Sequence, residues 1–499
     1  MQKSMPLQFR RKQKFDPQGD TMSHTVEKIG GTSMSQYDAV RDNVIVGQRA
    51  SSELYNRVFV VSAYGGLTDL LLEAKKGNNP GVYALFAGSE GDNEWRDALA
   101  QVREAMRSIN AGLYAEGELL NQANDFIETR IDEAYRCLDD LYRLCQHGHF
   151  ELESQLLTVR EMLASLGEAH SAWNMTRLLQ RDGIAARMVD LSGWRAETTS
   201  PLDECIEAAF AEVDLSQELA IVTGYAHCQE GLMASFDRGY SEMIFSRIAV
   251  ITEAREAVIH KEYHLSSADP RIVDAEKVVP IGRTNYDVAD QLANLGMEAI
   301  HPRAAKGLRQ QNIPLRVKNT FEPEHSGTLI TRDYVSDSPC VEIIAGKQSV
   351  HAVELFDQEM VGDIHGYDRE FLGVIKRYKA RIITKDLNAN TITMYLATNL
   401  KTVKRIVREL EAAYPKAEIR PRKVAIVSAI GSDMHVPGLL AKAVVALAES
   451  NISVLAMHQS MRQVDMQFVI NEDDYTKAIQ SLHCCLVEPH NHGLAICAA

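Results

Sequence analysis

The stretch Val26-Glu27-Lys28-Ile29-Gly30-Gly31-Thr32-Ser33 carries residue types suited to holding phosphate. A short apolar strand signal runs into two glycines, two hydroxyls and a helix-like segment. Adjacent glycines let backbone N–H groups turn inward on an anion, and a helix N-terminus adds positive dipole. Thr32 or Ser33 is expected to cap a helix beginning near Met34. Lys28 adds a full charge just before the turn. The competing reading is an ordinary strand-to-helix turn with a surface lysine, since glycine pairs are common in turns.

The same device follows again. An apolar strand over 57–63 ends in Tyr64-Gly65-Gly66-Leu67-Thr68-Asp69, and two such loops at the carboxyl ends of neighbouring parallel strands face one crevice. A third loop, Asp237-Arg238-Gly239-Tyr240-Ser241-Glu242, combines arginine, glycine, hydroxyl and carboxylate. Glu168, in Leu166-Gly167-Glu168-Ala169-His170-Ser171, lies in a helical pattern where a solvated carboxylate is the ordinary expectation.

These residues need a scaffold, and the alternation of patterns supplies one. Helical periodicity is expected over 37–54 and almost throughout 95–179; strands are expected at 185–190, 219–225, 256–259 and 314–318, with helices at 202–213 and after 242. This βαβ grammar predicts an α/β fold, a mostly parallel sheet sandwiched by helices. From about Val341 the grammar changes. The stretch Glu342-Ile343-Ile344-Ala345-Gly346-Lys347, a helix at 369–378 and strands at 380–384 and 391–397 form one small α+β unit. Strand 424–430, helix 439–449, strands 452–458 and 464–470 and helix 473–484 form a second. The expected organisation is an arm over 1–22, a catalytic domain over 23–335 with a helical insert about 90–180, small domains over 336–420 and 421–487, and a tail over 488–499. The arm has basic residues but no apolar signal core, so disorder is expected there and Met22 is a candidate start.

Composition narrows the function classes. A chain of 499 residues exceeds one ordinary core, and its net charge of -15 argues against a nucleic-acid binder and for a protein acting on small molecules. No apolar run of about 18 residues predicts a membrane span. The eight cysteines lack metal or disulfide spacing and read as reduced thiols of a cytoplasmic protein. His458, His490 and His492 lack ligand partners at useful spacing, so no metal site is expected.

Taken in order, Lys28-Ile29-Gly30-Gly31-Thr32-Ser33, Val61-Ser62-Ala63-Tyr64-Gly65-Gly66-Leu67-Thr68, Ala268-Asp269-Pro270-Arg271, Ile300-His301-Pro302-Arg303 and the turn Val436-Pro437-Gly438 resemble the aspartokinases of the amino-acid kinase family. The resemblance covers about 26–487 and is nearest to the aspartokinases associated with ectoine biosynthesis. It implies an amino-acid kinase fold followed by two ACT domains, and phosphoryl transfer from ATP, with Mg²⁺, to the side-chain carboxylate of L-aspartate. By that resemblance Lys28, Arg238 and Glu242 are catalytic. Ser62, Thr68, Glu168, Arg238 and Ser241 hold the amino acid. Lys28, Gly30, Gly31, Lys261, Ser266, Asp269 and Arg271 hold the nucleotide. Asp363 in the first ACT unit and Gly431, Met434, Val436 and Pro437 in the second mark the loops of an effector site between the units, for lysine or threonine, equally readable as packing turns. A homodimer or homotetramer through the ACT domains is implied.

Three positions depart from the family pattern. Its Gly-Arg-Gly-Gly-Ser-Asp stands here as Asp237-Arg238-Gly239-Tyr240-Ser241-Glu242, a nucleotide-side Thr-Asp as His260-Lys261, and the lysine before the His-Pro pair as Glu298. They motivate one alternative, a catalytically silent amino-acid sensor; a kinase of the same fold acting on glutamate is another.

Overall fold

The computed structural model describes residues 23–50, 53–73, 80–88, 94–147, 149–236, 239–297, 299–490 and 495–496. The arm expected over 1–22 lies outside them, as do Asp237, Arg238, Glu298 and His492. The first sheet comprises β1 (Thr25–Ile29), β2 (Arg57–Val61), β3 (Ala186–Val189), β4 (Leu219–Thr223), β5 (Glu256–Lys261), β6 (Arg283–Asn285), β7 (Leu315–Asn319) and β8 (Thr328–Thr331). Their order across the sheet is β3-β4-β2-β1-β5-β7-β8-β6. The run from β3 to β7 is parallel, whereas β8 returns antiparallel on β7 and pairs parallel with β6. Sequence reading missed β6 and β8 because three or four residues are too short to show a period.

Strands β1, β2 and β4 are buried at every residue, as expected for parallel strands covered on both faces. The charges on one face of β1 and β2 are therefore paired. Glu27 accepts two hydrogen bonds from the Arg57 guanidinium, at 2.6 and 3.0 Å, and lies 2.8 Å from His260 Nε2. Burial would raise the Glu27 pKa, but the Arg57 charge and the hydrogen bonds from His260 and Arg57 hold it well below the usual carboxylate range. Burial lowers the His260 pKa, with Glu27 opposing.

The helix Leu156–Arg181 serves both faces of the sheet. Leu163 and Leu166 enter one core with Val58, Val60 and Ile244, while Met175 and Leu178 enter the other with Ile29, Phe59 and Val61. That double duty buries nearly its whole middle, Glu168 included. The helices Glu94–Leu113 and Glu118–Cys145 pack on each other, and the second lies along it. The pattern over 37–54 resolves differently: Tyr37–Ala39 is α-helical, Val40–Val46 is wound more widely as a π-helix, and the Gly47 N–H donates to the Asp42 carbonyl at left-handed φ.

The second sheet contains β9 (Ile343–Phe356), β10 (Arg381–Leu387), β11 (Thr391–Ala397), β12 (Glu418–Ile430), β13 (Val454–Gln459) and β14 (Asp465–Asn471), ordered β10-β11-β9-β12-β14-β13. Every pairing is antiparallel. The stretch 342–347 opens a strand that runs on to Phe356, and the expected boundary at 420/421 falls inside β12. Ile343–Lys347 pairs with the later half of β12 and Val350–Phe356 with its earlier half, so the first α+β unit sits between two pieces of the second. One face of the sheet meets the catalytic domain, where Val288 and Leu292 pack with Ile343, Tyr395 and Ile426. Beside this core, Glu342 is fully buried and accepts hydrogen bonds from the Ser432 N–H and from the hydroxyls of Ser432 and Thr284. Among the described residues no helix is long and apolar enough to cross a membrane.

Arg57→Ala would leave Glu27 buried with only His260 and the Thr25 hydroxyl beside it. The expected loss is about 3–5 kcal/mol of stability in the catalytic domain, measured by urea denaturation; a change under about 1 kcal/mol would show that the pair is dispensable.

Candidate active site

Lys28 sits one residue before the end of β1, at the centre of the sheet, and is only 7% exposed. Strand alternation sends it to the face opposite Glu27. Its Nζ lies 4.0 Å from Glu242 Oε1, and the other Glu242 oxygen accepts the His301 N–H at 2.5 Å. Burial draws the Lys28 pKa down; Glu242 opposes that shift and Lys261 adds to it. Both residues line a cavity of about 390 Å³ at the carboxyl ends of β1 and β2.

Of the residues expected to hold the amino acid, Ser62, Thr68, Glu168 and Ser241 all line this cavity. The hydroxyls of Ser62 and Ser241 are 3.4 Å apart. Gly31 is there because of close approach: a Cβ on it would lie 2.6 Å from the Ala63 carbonyl oxygen. Gly167 does the same for the long helix, since its Cβ would meet the Ala63 Cβ at 2.7 Å. That contact seats the helix directly on the loop after β2 and aims Glu168 inward. Arg238 lies outside the described residues.

Glu168 is 2% exposed, so the solvated-carboxylate reading fails. Its Oε1 accepts the Tyr240 hydroxyl at 2.8 Å, while Oε2 is buried without a hydrogen-bond partner. Burial pushes its pKa up to about 7, against the Tyr240 hydroxyl and the nearby backbone amides of Glu168 and Ala63. Tyr240 is thus a site residue that sequence reading treated only as a departure from a glycine pattern. It is buried, and its ring meets Tyr225 edge-on at 5.8 Å.

Lys261, Ser266, Asp269 and Arg271 line a second, larger cavity of about 740 Å³ beyond β5. The Asp269 carboxylate binds the Arg271 guanidinium at 2.7 and 3.0 Å, which holds its pKa below the usual value. Ser266 donates to the His264 carbonyl. Met297 and Ala299, on either side of position 298, also line this space. Glu262 stands between the cavities: it lines the larger one and accepts a 3.4 Å hydrogen bond from Ser33 beside the glycine turn.

Four expectations need correction. The Gly30 N–H donates to the His260 carbonyl at 3.3 Å, so Gly31, not Gly30, is the glycine that lines the cavity. The helix begins at Gly31 with Gly30 as N-cap and no side-chain cap; Ser33 turns instead to Glu262 and Thr320. The His260 side chain faces Glu27 rather than the larger cavity, leaving only Lys261 of that pair to line it. The effector loops do not meet within one chain. Asp363 caps the helix Ile364–Arg377, just past the Phe356 end of β9, while Gly431 to Pro437 follow the Ile430 end of β12. Ladder register puts these ends about 40 Å apart. Met434 is moreover 1% exposed in the core, and a Cβ on Gly431 would strike the Cys340 carbonyl oxygen at 2.2 Å.

Residues 24–319 match the amino acid kinase family and residues 427–486 match an ACT domain. The chain is 57% identical over 476 residues to aspartate kinase Ask_Ect of Stutzerimonas stutzeri strain A1501, covering 95% of this chain and 100% of that protein. It is 24% identical to chloroplastic aspartokinase 1 of Arabidopsis thaliana, over 92% of this chain and 79% of the relative. A crystal structure of E. coli aspartokinase III in complex with aspartate and ADP superposes with a TM-score of 0.69 at 19% identity, covering 93% of this chain and 99% of that one. The same enzyme in complex with lysine and aspartate gives 0.70 at 18%, over 93% and 100%. Catalytic sheet, glycine turns and the long antiparallel ladder behind them thus place the chain in the amino acid kinase family, among the aspartokinases that carry a C-terminal ACT region.

Proposed function

We infer that the chain transfers the γ-phosphoryl group of ATP to the side-chain carboxylate of L-aspartate, giving 4-phospho-L-aspartate for aspartate-family amino acid and ectoine synthesis. The observation that carries the assignment of sites is the pair of cavities flanking one glycine turn, with Lys28 and Glu242 in the smaller and Lys261 in the larger. The smaller suits an amino acid and the larger a nucleotide. The silent-sensor and glutamate-kinase readings are not favoured, given 57% identity to an aspartate kinase along nearly the whole chain.

The acceptor carboxylate is already ionised at neutral pH, so the reaction needs no general base. Its difficulty is bringing two anions in line at about 3–3.5 Å. Lys28 offsets that repulsion, and Glu242 holds Lys28 in place. Mg²⁺ carried on the nucleotide phosphates would supply further positive charge there, and the Glu242 carboxylate is the hard oxygen donor beside Lys28 suited to share it. Glu168 presents its unpartnered oxygen to the substrate ammonium, with Ser62, Thr68 and Ser241 adding hydrogen bonds and Arg238 taking a carboxylate. Lys261, Ser266, Asp269 and Arg271 bind the nucleotide. A cytoplasmic homodimer or homotetramer joined through the ACT domains, answering to lysine or threonine, completes the reading. Because Asp363 and the Gly431 loop lie at opposite ends of the ladder, they would belong to two different effector surfaces.

ADP release with Mg²⁺-ATP and L-aspartate, with the acyl phosphate trapped by hydroxylamine, tests the assignment; no hydroxamate above the L-glutamate control would overturn it. Lys28→Ala should lower kcat by about 10²–10³-fold with the melting temperature little changed, and near-normal turnover would displace Lys28 from the phosphate site. Glu168 takes up a proton as pH falls through about 7, so its hold on the ammonium weakens on the acid side. The aspartate KM should rise roughly fivefold from pH 7 to pH 6. In Glu168→Gln it should be high and flat with pH, and an unchanged profile in that variant would assign the ammonium elsewhere.

A further inference from the structure

A cavity of about 500 Å³, separate from the two already described, opens between the helices Glu118–Cys145 and Leu156–Arg181 and the segments that follow β3 and β4. It lies at the carboxyl ends of two parallel strands, the usual place for ligands in open α/β sheets, and its size suits a small molecule. Tyr225, Met162 and Trp194 make its lining mainly apolar. Gly193 brings the Trp194 loop against the segment after β4: its φ is +64°, and a Cβ there would lie 2.6 Å from the His227 Cβ.

Two carboxylates and two guanidiniums line this space, and only Glu133 and Arg195 pair with each other. Glu133 is engaged by both the Trp194 indole N–H, at 2.5 Å, and Arg195. Both Glu161 oxygens are also occupied, one by the Tyr225 hydroxyl at 2.6 Å and the other by the Met233 N–H at 2.7 Å. Arg136 lines the cavity as well and pairs with no carboxylate among the described residues. One unmatched guanidinium beside an aromatic wall fits a carboxylate carrying an apolar body.

Contacts run from this cavity to the amino-acid site. Glu161 and Glu168 are two turns apart on one helix, about 10 Å along its axis. Glu161 holds Tyr225, the Tyr225 ring meets Tyr240 edge-on, and the Tyr240 hydroxyl binds Glu168. Glu161 also anchors, through Met233, the short helix Leu232–Phe236, which comes before the helix Tyr240–Ile251 whose first turn carries Ser241 and Glu242.

We propose that this cavity is a second small-molecule site, taking a carboxylate with an apolar or aromatic body, and that its occupancy is transmitted to Glu168 through Glu161, Tyr225 and Tyr240. The binding half stands independently of the kinase reading; the transmission half rests on it.

The test uses the full chain and 4-phenylbutyrate as probe, followed by tryptophan fluorescence. Saturable quenching is expected, and it should be lost in Trp194→Phe. The uncharged 4-phenylbutan-1-ol should bind about fivefold more weakly, and Arg136→Gln should remove that difference. Thr158→Phe, an exposed rim residue enlarged into the cavity, should abolish binding of both probes. Calorimetry should then show at least a twofold change in aspartate affinity at saturating probe, absent in Thr158→Phe. No saturable quenching, or quenching indifferent to Thr158→Phe, overturns the site, and equal binding of acid and alcohol overturns the carboxylate class. Probe binding with unaltered aspartate affinity overturns the transmission. Probe binding without any aspartate binding overturns the transmission and the kinase reading together and leaves the site standing.

Discussion

A buried positive charge at the centre of a parallel sheet is the constraint around which the catalytic domain is arranged. Withdrawing an ammonium group from water costs several kcal/mol unless an opposite charge and hydrogen bonds replace the lost solvation. Lys28 meets that condition only in part: Glu242 stands at 4.0 Å, and burial still draws the lysine pKa down. An incompletely compensated cation is what a site for anionic phosphates requires, because the ligand supplies the missing charge. The preceding residue shows the opposite solution. Glu27, on the other face of β1, is fully answered by Arg57 and His260, and that cluster joins β1 to both neighbouring strands. One strand thus carries a closed charge cluster on one face and an open one on the other.

The helix Leu156–Arg181 delivers the second charge of the site. Because it contributes to the cores on both faces of the sheet, it has little freedom to shift, and Gly167 lets it touch the loop after β2. Glu168 is therefore presented from a rigid element, with one oxygen held by Tyr240 and the other uncommitted. Tyr240, the first residue of the helix Tyr240–Ile251, gives the carboxylate a fixed hydrogen-bond donor and ties it to the aromatic pair with Tyr225.

The C-terminal half is coupled to this site through shared strands and a shared core. β9 and β12 each run through both α+β units, so neither unit can move along the ladder without the other. The sheet face that meets the helix Tyr286–Leu295 and the buried Glu342, bonded to Thr284 on β6 and Ser432 after β12, fix the ladder to the catalytic domain. The ACT-type sheet therefore packs directly, through Leu265 and Ile281, against the segment that lines the larger cavity.

The fold class was legible because fully buried parallel strands and amphipathic helices write their periods into the chain; the helix Leu439–Glu449 matches its expected bounds. The glycine turn after β1 was equally legible, since a glycine pair at the end of an apolar run is a local feature. What the residues alone determined was therefore local: strand, turn, helix and the chemical types at the loop tips. Pairing across the chain was not legible. Nothing in the residues around 260 shows that His260 faces Glu27 while Lys261 faces the larger cavity, because strand alternation fixes opposite faces but not which neighbour each face meets. Nor does the helical pattern around Glu168 reveal burial, since a helix wedged between two cores loses the polar stripe that would mark its outside. The two effector loops looked like one site because both follow strands in similar units; only the antiparallel register of β9 and β12, set by hydrogen bonds between segments some 70 residues apart in sequence, puts them at opposite ends of the ladder. Tertiary structure alone decided which charges are answered and which are left for a ligand, because that depends on distances between residues whose separation along the chain carries no distance information.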